Sequence, residues 1–396
     1  PPRIVCISRR RRGIGRSQPR TQHPGDISGP QLLARLRQII RRHRRRVHRF
    51  RGPVIRFPNP AETFIPSVGP QLLDLRYGLF QLRHPLGYEC PKCGSTKAWA
   101  MSGKVGMMIC EKGHQVTLTA GTAMHRTKQP LTKWFEAAWL IATLTPGISA
   151  VQFQRQLGFT RLETAWTMLH KLRSGLVAPD REKLSSTCYE EDRNHTVHWV
   201  EVDETYVGGK EEGVEHRGRG SDTKALVVVA VEVHQWQDVK GKKHTKAGRC
   251  RMRVVPSAGK GDLMPFIKDN VTKGSTVHTD AHKGYDWLTA QGYKRMVTVA
   301  KYSDDPLPTI GRVTTNLKRW WIGTHKGAVH PKHLQAYLNE YVFRFNRRGI
   351  PWIAFNRALG LAAGASQAVE YEGLYKGTWL HPNPTEGPDQ YGFHLL

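Results

Sequence analysis

The sequence predicts an α/β domain built on a mixed five-stranded sheet, preceded by a small metal-stapled module and a helical segment. Three observations predict it. From 196 to 300, strand and helix patterns come in the order strand, strand, strand, helix, strand, helix, strand. Before them, Cys90, Cys93, Cys110 and His114 form two close-spaced ligand pairs. Between the two, residues 131 to 178 place apolar side chains at helical spacing.

The charge balance bounds the partner. The 396 residues hold 61 Lys plus Arg against 32 Asp plus Glu, a formal charge of +29 that favours a polyanion, most simply nucleic acid. Residues 1 to 57 contain 17 Arg, no Lys and one acid, Asp26, so the arm carries +16 and the remaining 339 residues +13. Six cysteines, with Cys6, Cys188 and Cys250 isolated, do not suggest a disulfide framework and point to a reducing, cytoplasmic setting. No apolar run reaches the 18 or so residues of a membrane span, and the first thirty residues lack a secretory core. The Arg-rich start also suits an organellar transit peptide.

The elements follow in order. Residues 1–70 read as a basic, largely disordered arm and linker: Arg clusters mixed with Gly, Pro and Ser offer too little apolar surface to offset chain entropy. Within it QLLARLRQIIRRHRRRVHRF (31 to 50) has helical spacing and is either a phosphate-facing helix or a solvated tail. Over 80–128 the CxxC pair, Cys90 and Cys93, is followed by Cys110 and His114, each pair with a glycine beside it (Gly94, Gly113), which suits tetrahedral zinc in a zinc ribbon. The alternative leaves CPKCG as a lone redox-like pair.

Over 129–178, LTKWFEAAWLIATLT stops at Pro146-Gly147, Ser149 is placed to cap AVQFQRQLG, and RLETAWTMLHKLRSGL follows the turn at Gly158. Two helices around a glycine turn, the second expected to turn Arg161, Thr164, Thr167 and Lys171 outward, form a helix-turn-helix pattern, with Arg161 and Lys171 as DNA contacts.

The domain at 195–365 carries the chemistry. TVHWVEVDETYV, KALVVVAVEVH and CRMRVVPS read as strands, GDLMPFIKDNV as a helix, STVHTD as the fourth strand, KGYDWLTAQG as a helix and YKRMVTVA as the fifth strand. That is the element order of the ribonuclease H fold, whose first and fourth strands lie side by side. Asp203 and Asp280 fall on those two strands and converge. Paired carboxylates are the hard oxygen ligands that Mg2+ or Mn2+ takes, and two such ions assist in-line phosphodiester cleavage. Glu201 shares the face of Asp203, and Glu204 faces away. The bland readings are a strand-end acid for Asp203 and a helix cap for Asp280.

The stretches CPKCG with CEKGHQVTLTAGTAMHRTKQPLTKWF, TPGISAVQFQRQLG, VEVDETYVGGK, TDAHKGY and LKRWWIGTHKGAVHPKHLQAYLNEYVFRFNRR together resemble the DDE transposases of bacterial insertion sequences, in the ISXO-like branch with an N-terminal zinc ribbon. The resemblance runs over roughly 80 to 362. It implies binding of double-stranded DNA at terminal inverted repeats and at a target, Mg-dependent strand cleavage and transfer, and a homo-oligomeric synaptic complex near the nucleoid. It carries the first two catalytic acids onto Asp203 and Asp280, and a Lys onto Lys318. The third ligand position falls on Gly311, which has no donor, and leaves Asn316 or Glu340 as substitutes, with Asp304 and Asp305 just upstream.

Lys318, Arg319, His325, Lys326, His330, Lys332, Arg344, Arg347 and Arg348, with Trp320 and Trp321 interleaved, read as a phosphate-facing set, of which Arg319, Lys326, Arg347 and Arg348 are the DNA contacts. Trp in the core and cations on a solvated face is the alternative. Residues 366–396 form a tail without recognisable chemistry. A catalytically silent DNA-binding relative and a ribonuclease H-like nuclease or resolvase are the rival functions.

Overall fold

The computed structural model describes residues 70–84, 86–101, 106–177, 182–186, 195–208, 224–299, 307–327, 330–364 and 370–376. The arm at 1–69, Asp304, Asp305 and the tail from 377 lie outside the described residues. No helix among the described residues is long and apolar enough to cross a membrane.

The N-terminal half is helical around a small sheet. Helix α1 (Pro70–Arg83) precedes the strands β1 (Ala98–Ala100), β2 (Met107–Cys110) and β3 (Gln115–Thr117), which pair antiparallel in that order. The Arg83 guanidinium ties α1 to the sheet by donating to Thr117 O at 2.8 Å and Ala120 O at 2.6 Å. Helix α2 (Leu131–Thr143) ends in a turn at Gly147, and α3 (Ala150–Leu157) starts where the Ser149 side chain accepts from Gln152 N at 3.2 Å. Gly158, at φ 65°, ends α3 and leads to α4 (Leu162–Gly175).

The central strand β4 (His195–Gly208) pairs antiparallel with β5 (Lys224–Gln237), which pairs antiparallel with β6 (Lys243–Val255). On its other side β4 pairs parallel with β7 (Thr276–Thr279), and β7 with β8 (Lys294–Val297), giving the order β6-β5-β4-β7-β8. Helix α5 (Lys260–Asn270) links β6 to β7; α6 (Pro308–His325), α7 (Leu334–Asn346), α8 (Pro351–Ala363) and α9 (Tyr371–Lys376) follow β8.

Side-chain alternation explains how both faces are covered. Val227, Val229 and Val231 of β5 pack with Ile310, Val313 and Leu317 of α6 and Leu338 of α7. Val228 and Ala230 point the other way, with Val200 and Val202 of β4, onto Leu263, Phe266 and Ile267 of α5. The run VVVAV is apolar throughout because β5 is buried on both faces.

One expectation changes. The helix expected in KGYDWLTAQG is replaced by two short 3-10 turns, Lys283–Tyr285 and Thr289–Gln291. A Cβ at Gly284 would lie 2.6 Å from Ala258 O, so the segment hugs the backbone too closely for a regular helix, and Gly292 ends it at φ 83°. The Ala-rich α8 does not lie on the sheet. Its Phe355, Ala358, Leu359 and Ala362 join Trp134, Phe135, Ala138 and Leu169 in the N-terminal core.

The two halves interlock at Gly147. Its φ is 72°, and a Cβ there would meet Trp320 Nε1 at 2.6 Å and Arg344 Nη1 at 2.7 Å. Arg344 Nη2 also donates to Leu144 O and Thr145 O. The turn between α2 and α3 is thus fitted to α6 and α7.

Candidate catalytic and metal centres

The parallel ladder brings the two aspartates together. Glu201 is opposite His278 in the β4–β7 register, so continuing by two residues sets Asp203 beside Asp280, one position past the end of β7. Both are half-buried. Asp280 does not cap a helix: its Oδ1 accepts from His282 N at 2.9 Å and turns the chain at the strand end. From β8, Arg295 holds this turn by donating to His282 O at 3.1 Å and Asp280 O at 3.4 Å, and it pairs with Asp286.

Glu204 lies on the opposite face of β4 and accepts from the Tyr285 hydroxyl. Burial, then the negative charges of Asp203 and Asp280, push the Glu204 carboxyl up to about 7. Burial and the neighbouring Glu204 carboxylate also raise Tyr285 well above its ordinary value. Negative charge is therefore concentrated here on oxygen donors, the chemistry that a hard divalent cation neutralises. Asp203 and Asp280 fit such an ion.

Glu201, on the Asp203 face, is fully buried. Its Oε2 accepts from Ile310 N at 2.7 Å and its Oε1 from Trp199 Nε1 at 3.3 Å, while burial raises its pKa. The carboxylate satisfies an otherwise open N–H in the first turn of α6 and fixes that turn against β4. Sequence reasoning missed this clamp, as it missed Tyr285 and Arg295, because the partners are brought together only by the tertiary fold.

Gly311 follows Ile310 in this first turn. Lys318 is seven residues later, two helical turns on, so it is exposed on the same side of α6 as Gly311. Asn316 is exposed and rotated by roughly 140° from Gly311, away from that side. Glu340 must be withdrawn as a substitute ligand. It is fully buried on α7, where Arg173 Nε of α4 donates to Oε2 at 2.7 Å; burial alone would raise its pKa, but Arg173 and Arg344 hold it below the usual range. Among the described residues, no third His, Cys, Asp or Glu closes with Asp203 and Asp280 into a three-donor set.

A second centre lies at the small sheet. The ligand atoms of Cys90, Cys93, Cys110 and His114 lie within 4.8 Å of one another. Cys93 Sγ is 3.7 Å from Cys110 Sγ and Cys110 Sγ is 3.6 Å from His114 Nδ1. Tetrahedral zinc with Zn–S of about 2.3 Å needs ligand separations of roughly 3.8 Å. Gly94 and Gly113, at φ 69° and 80°, let each hairpin fold back so that their N–H groups donate to Cys90 O and Cys110 O, both at 2.8 Å. This set could hold a zinc ion.

The expected DNA contacts divide. Arg161, Arg319 and Lys326 are exposed. Lys171, expected outward, is buried, and its Nζ donates to His125 O at 2.7 Å, because the C-terminal half of α4 is enclosed by its neighbours and only the first turn stays open. Arg347 is half-buried over the Phe343 ring, and exposed Arg348 donates to Phe345 O at 2.7 Å and to Gly248 O. Trp320 and Trp321 are core residues, and burial pushes His325 down to about 4, so it carries no charge at neutral pH.

Residues 198–346 match the family model described as the ISXO2-like transposase domain. Over these residues the chain is similar to ISXO2-like transposase domains. No curated protein matches the chain. The matched segment runs from within β4 to the end of α7 and so includes Asp203, Asp280, Gly311 and Lys318. Its DDE class implies use of a divalent metal. The cysteine cluster and helices α2 to α4 precede the matched residues.

Proposed function

We propose that the chain is an insertion-sequence transposase that binds inverted-repeat ends as an oligomer and cleaves and transfers DNA strands with Mg2+ held by Asp203 and Asp280. The observation that carries this reading is the parallel β4–β7 register, which aligns the two carboxylates within a transposase domain. When bound, the divalent ion polarises the scissile phosphate and activates the attacking oxygen. Asp203 and Asp280 supply its oxygens, Glu201 fixes α6 beside them, and Lys318 presents a cation to the DNA backbone. The turn held by Arg295 keeps Asp280 in place. The reading assigns 80–128 to a zinc ribbon and 129–178 to a helix-turn-helix segment whose open first turn, at Arg161, faces the duplex.

Gly311 offers no side-chain donor at the third position, so Asp203 and Asp280 would be the two carboxylates that hold the ion. Strand nicking on a duplex end is therefore expected in Mg2+ or Mn2+, falling by on the order of a hundredfold or more in Asp203→Asn and Asp280→Asn, with duplex binding retained. Duplex binding with no cleavage in either metal would instead support a silent DNA-binding relative. A preference for four-way junctions over duplex ends would support a resolvase.

A further inference from the structure

The hairpin joining β5 to β6 carries charge that the catalytic reading does not use. Its sequence from Asp238 to Lys246 is DVKGKKHTK. The one acid is consumed inside the turn: Asp238 Oδ1 accepts from Lys240 N at 2.8 Å and Lys242 N at 2.9 Å, and Oδ2 meets His244 Nε2 at 3.0 Å. Lys240, Lys242, Lys243 and Lys246 are all exposed, and none has an acidic partner among the described residues.

The ribbon that presents them is cross-braced by pairing, a ring stack and a hydrogen bond. Gln235, Trp236 and Gln237 pair with Thr245, His244 and Lys243, the Trp236 and His244 rings stack with centroids 5.4 Å apart, and Gln237 Nε2 donates to Gly241 O at 2.6 Å. The positive surface continues toward the carboxylates. Exposed Arg312 of α6 donates to Thr245 Oγ1 at 3.4 Å and to Thr309 Oγ1 at 3.3 Å, and Thr309 adjoins the turn clamped by Glu201. Asp203 is opposite Val229, nine residues before Asp238. At ~3.3 Å per residue the hairpin tip lies ~30 Å from Asp203, about nine base pairs along a duplex at ~3.4 Å each.

We propose that the β5–β6 hairpin is a separate binding site for the phosphate backbone of duplex DNA, gripping it about nine base pairs from the Asp203–Asp280 site. The binding itself stands without the catalytic reading; only its placement relative to the cut rests on that reading. Four lysine ammonium groups on a ribbon neutralise phosphates without reading bases, so the contact is sequence-independent and salt-sensitive.

The test uses the full chain and the combined variant Lys240→Gln, Lys242→Gln, Lys243→Gln and Lys246→Gln, with the four Lys→Arg changes as the charge-preserving control. Binding to a labelled random duplex of about 40 base pairs is measured in EDTA between roughly 50 and 200 mM salt. The Gln variant should lower the slope of log affinity against log salt by about 3 to 4, so that over this range wild type loses on the order of a hundredfold more affinity than the variant. The Arg variant should match wild type. An unchanged slope in a folded Gln variant overturns the proposal, as does a loss confined to phosphatidylserine vesicles. In Mg2+, shortening the duplex flanks to about five base pairs should abolish the difference between wild type and variant; a difference that persists overturns the placement. Because the binding arm contains no divalent metal, failure of the hairpin and failure of the catalytic reading give different results.

Discussion

Glu340→Ala is expected to destabilise the protein by about 3–5 kcal/mol, because it leaves Arg173 buried without its counter-ion. Arg173 is itself fully buried and stacked on Tyr337, with its guanidinium carbon 4.0 Å from the ring centroid, so it has no route to solvent. The melting temperature should drop by roughly 10 °C. Replacing both partners, Arg173→Met with Glu340→Met, should cost less than the sum of the single changes, since the desolvation of both charges is then relieved. The folded pKa of Glu340 is depressed, so its contribution is present above the ordinary carboxylate range and is lost only as pH falls through the lowered value. If Glu340 were a metal ligand instead, its removal would weaken divalent-ion binding and leave stability unchanged or higher. Thermal unfolding of Glu340→Ala, the two single Met variants and their double decides between the two roles.

The second large effect concerns the cysteine cluster. Cys90 and Cys110 are buried in the same core as Leu118, Trp134 and Phe355, so this centre supports the packing of α1, α2 and α8 as well as its own hairpins. Structural zinc contributes apparent binding energies of about 10–16 kcal/mol in small zinc modules at neutral pH. Cys110→Ser, or chelation, is expected to reduce zinc from one ion per chain to none and to lower the melting temperature by on the order of 10 °C. Elemental analysis of the purified chain with matched thermal scans checks it; a zinc-free chain whose stability is indifferent to the substitution would sink the assignment.

The two centres were legible in the sequence to different depths. Cys90, Cys93, Cys110 and His114 could be grouped from spacing alone because each pair is local and its glycine is adjacent. Asp203 and Asp280 needed the strand order, and alternation along β4 separated Glu201 from Glu204 correctly. What Glu201 does was hidden, since its partner Ile310 is 109 residues away. The same holds for Glu340, whose partner is 167 residues away and whose helical pattern is the same whether it pairs with Arg173 or coordinates an ion. Lys171 failed because helical spacing describes one helix in isolation, whereas α4 is enclosed by others. The turns after Asp280 were mistaken for a helix because the apolar spacing of Tyr285, Trp287 and Leu288 is satisfied equally by a short compact connection between parallel strands.

The central claim is that Asp203 and Asp280 form one divalent-ion site. Titration of the zinc-loaded chain with Mn2+, followed by the paramagnetic resonance of the free ion, tests it most directly because it needs neither DNA nor turnover. Wild type is expected to bind Mn2+, and Asp203→Asn and Asp280→Asn should each weaken that binding by at least about tenfold, a loss of ~1.4 kcal/mol, while the fold is retained. Mn2+ binding that is unchanged in both variants would contradict the account.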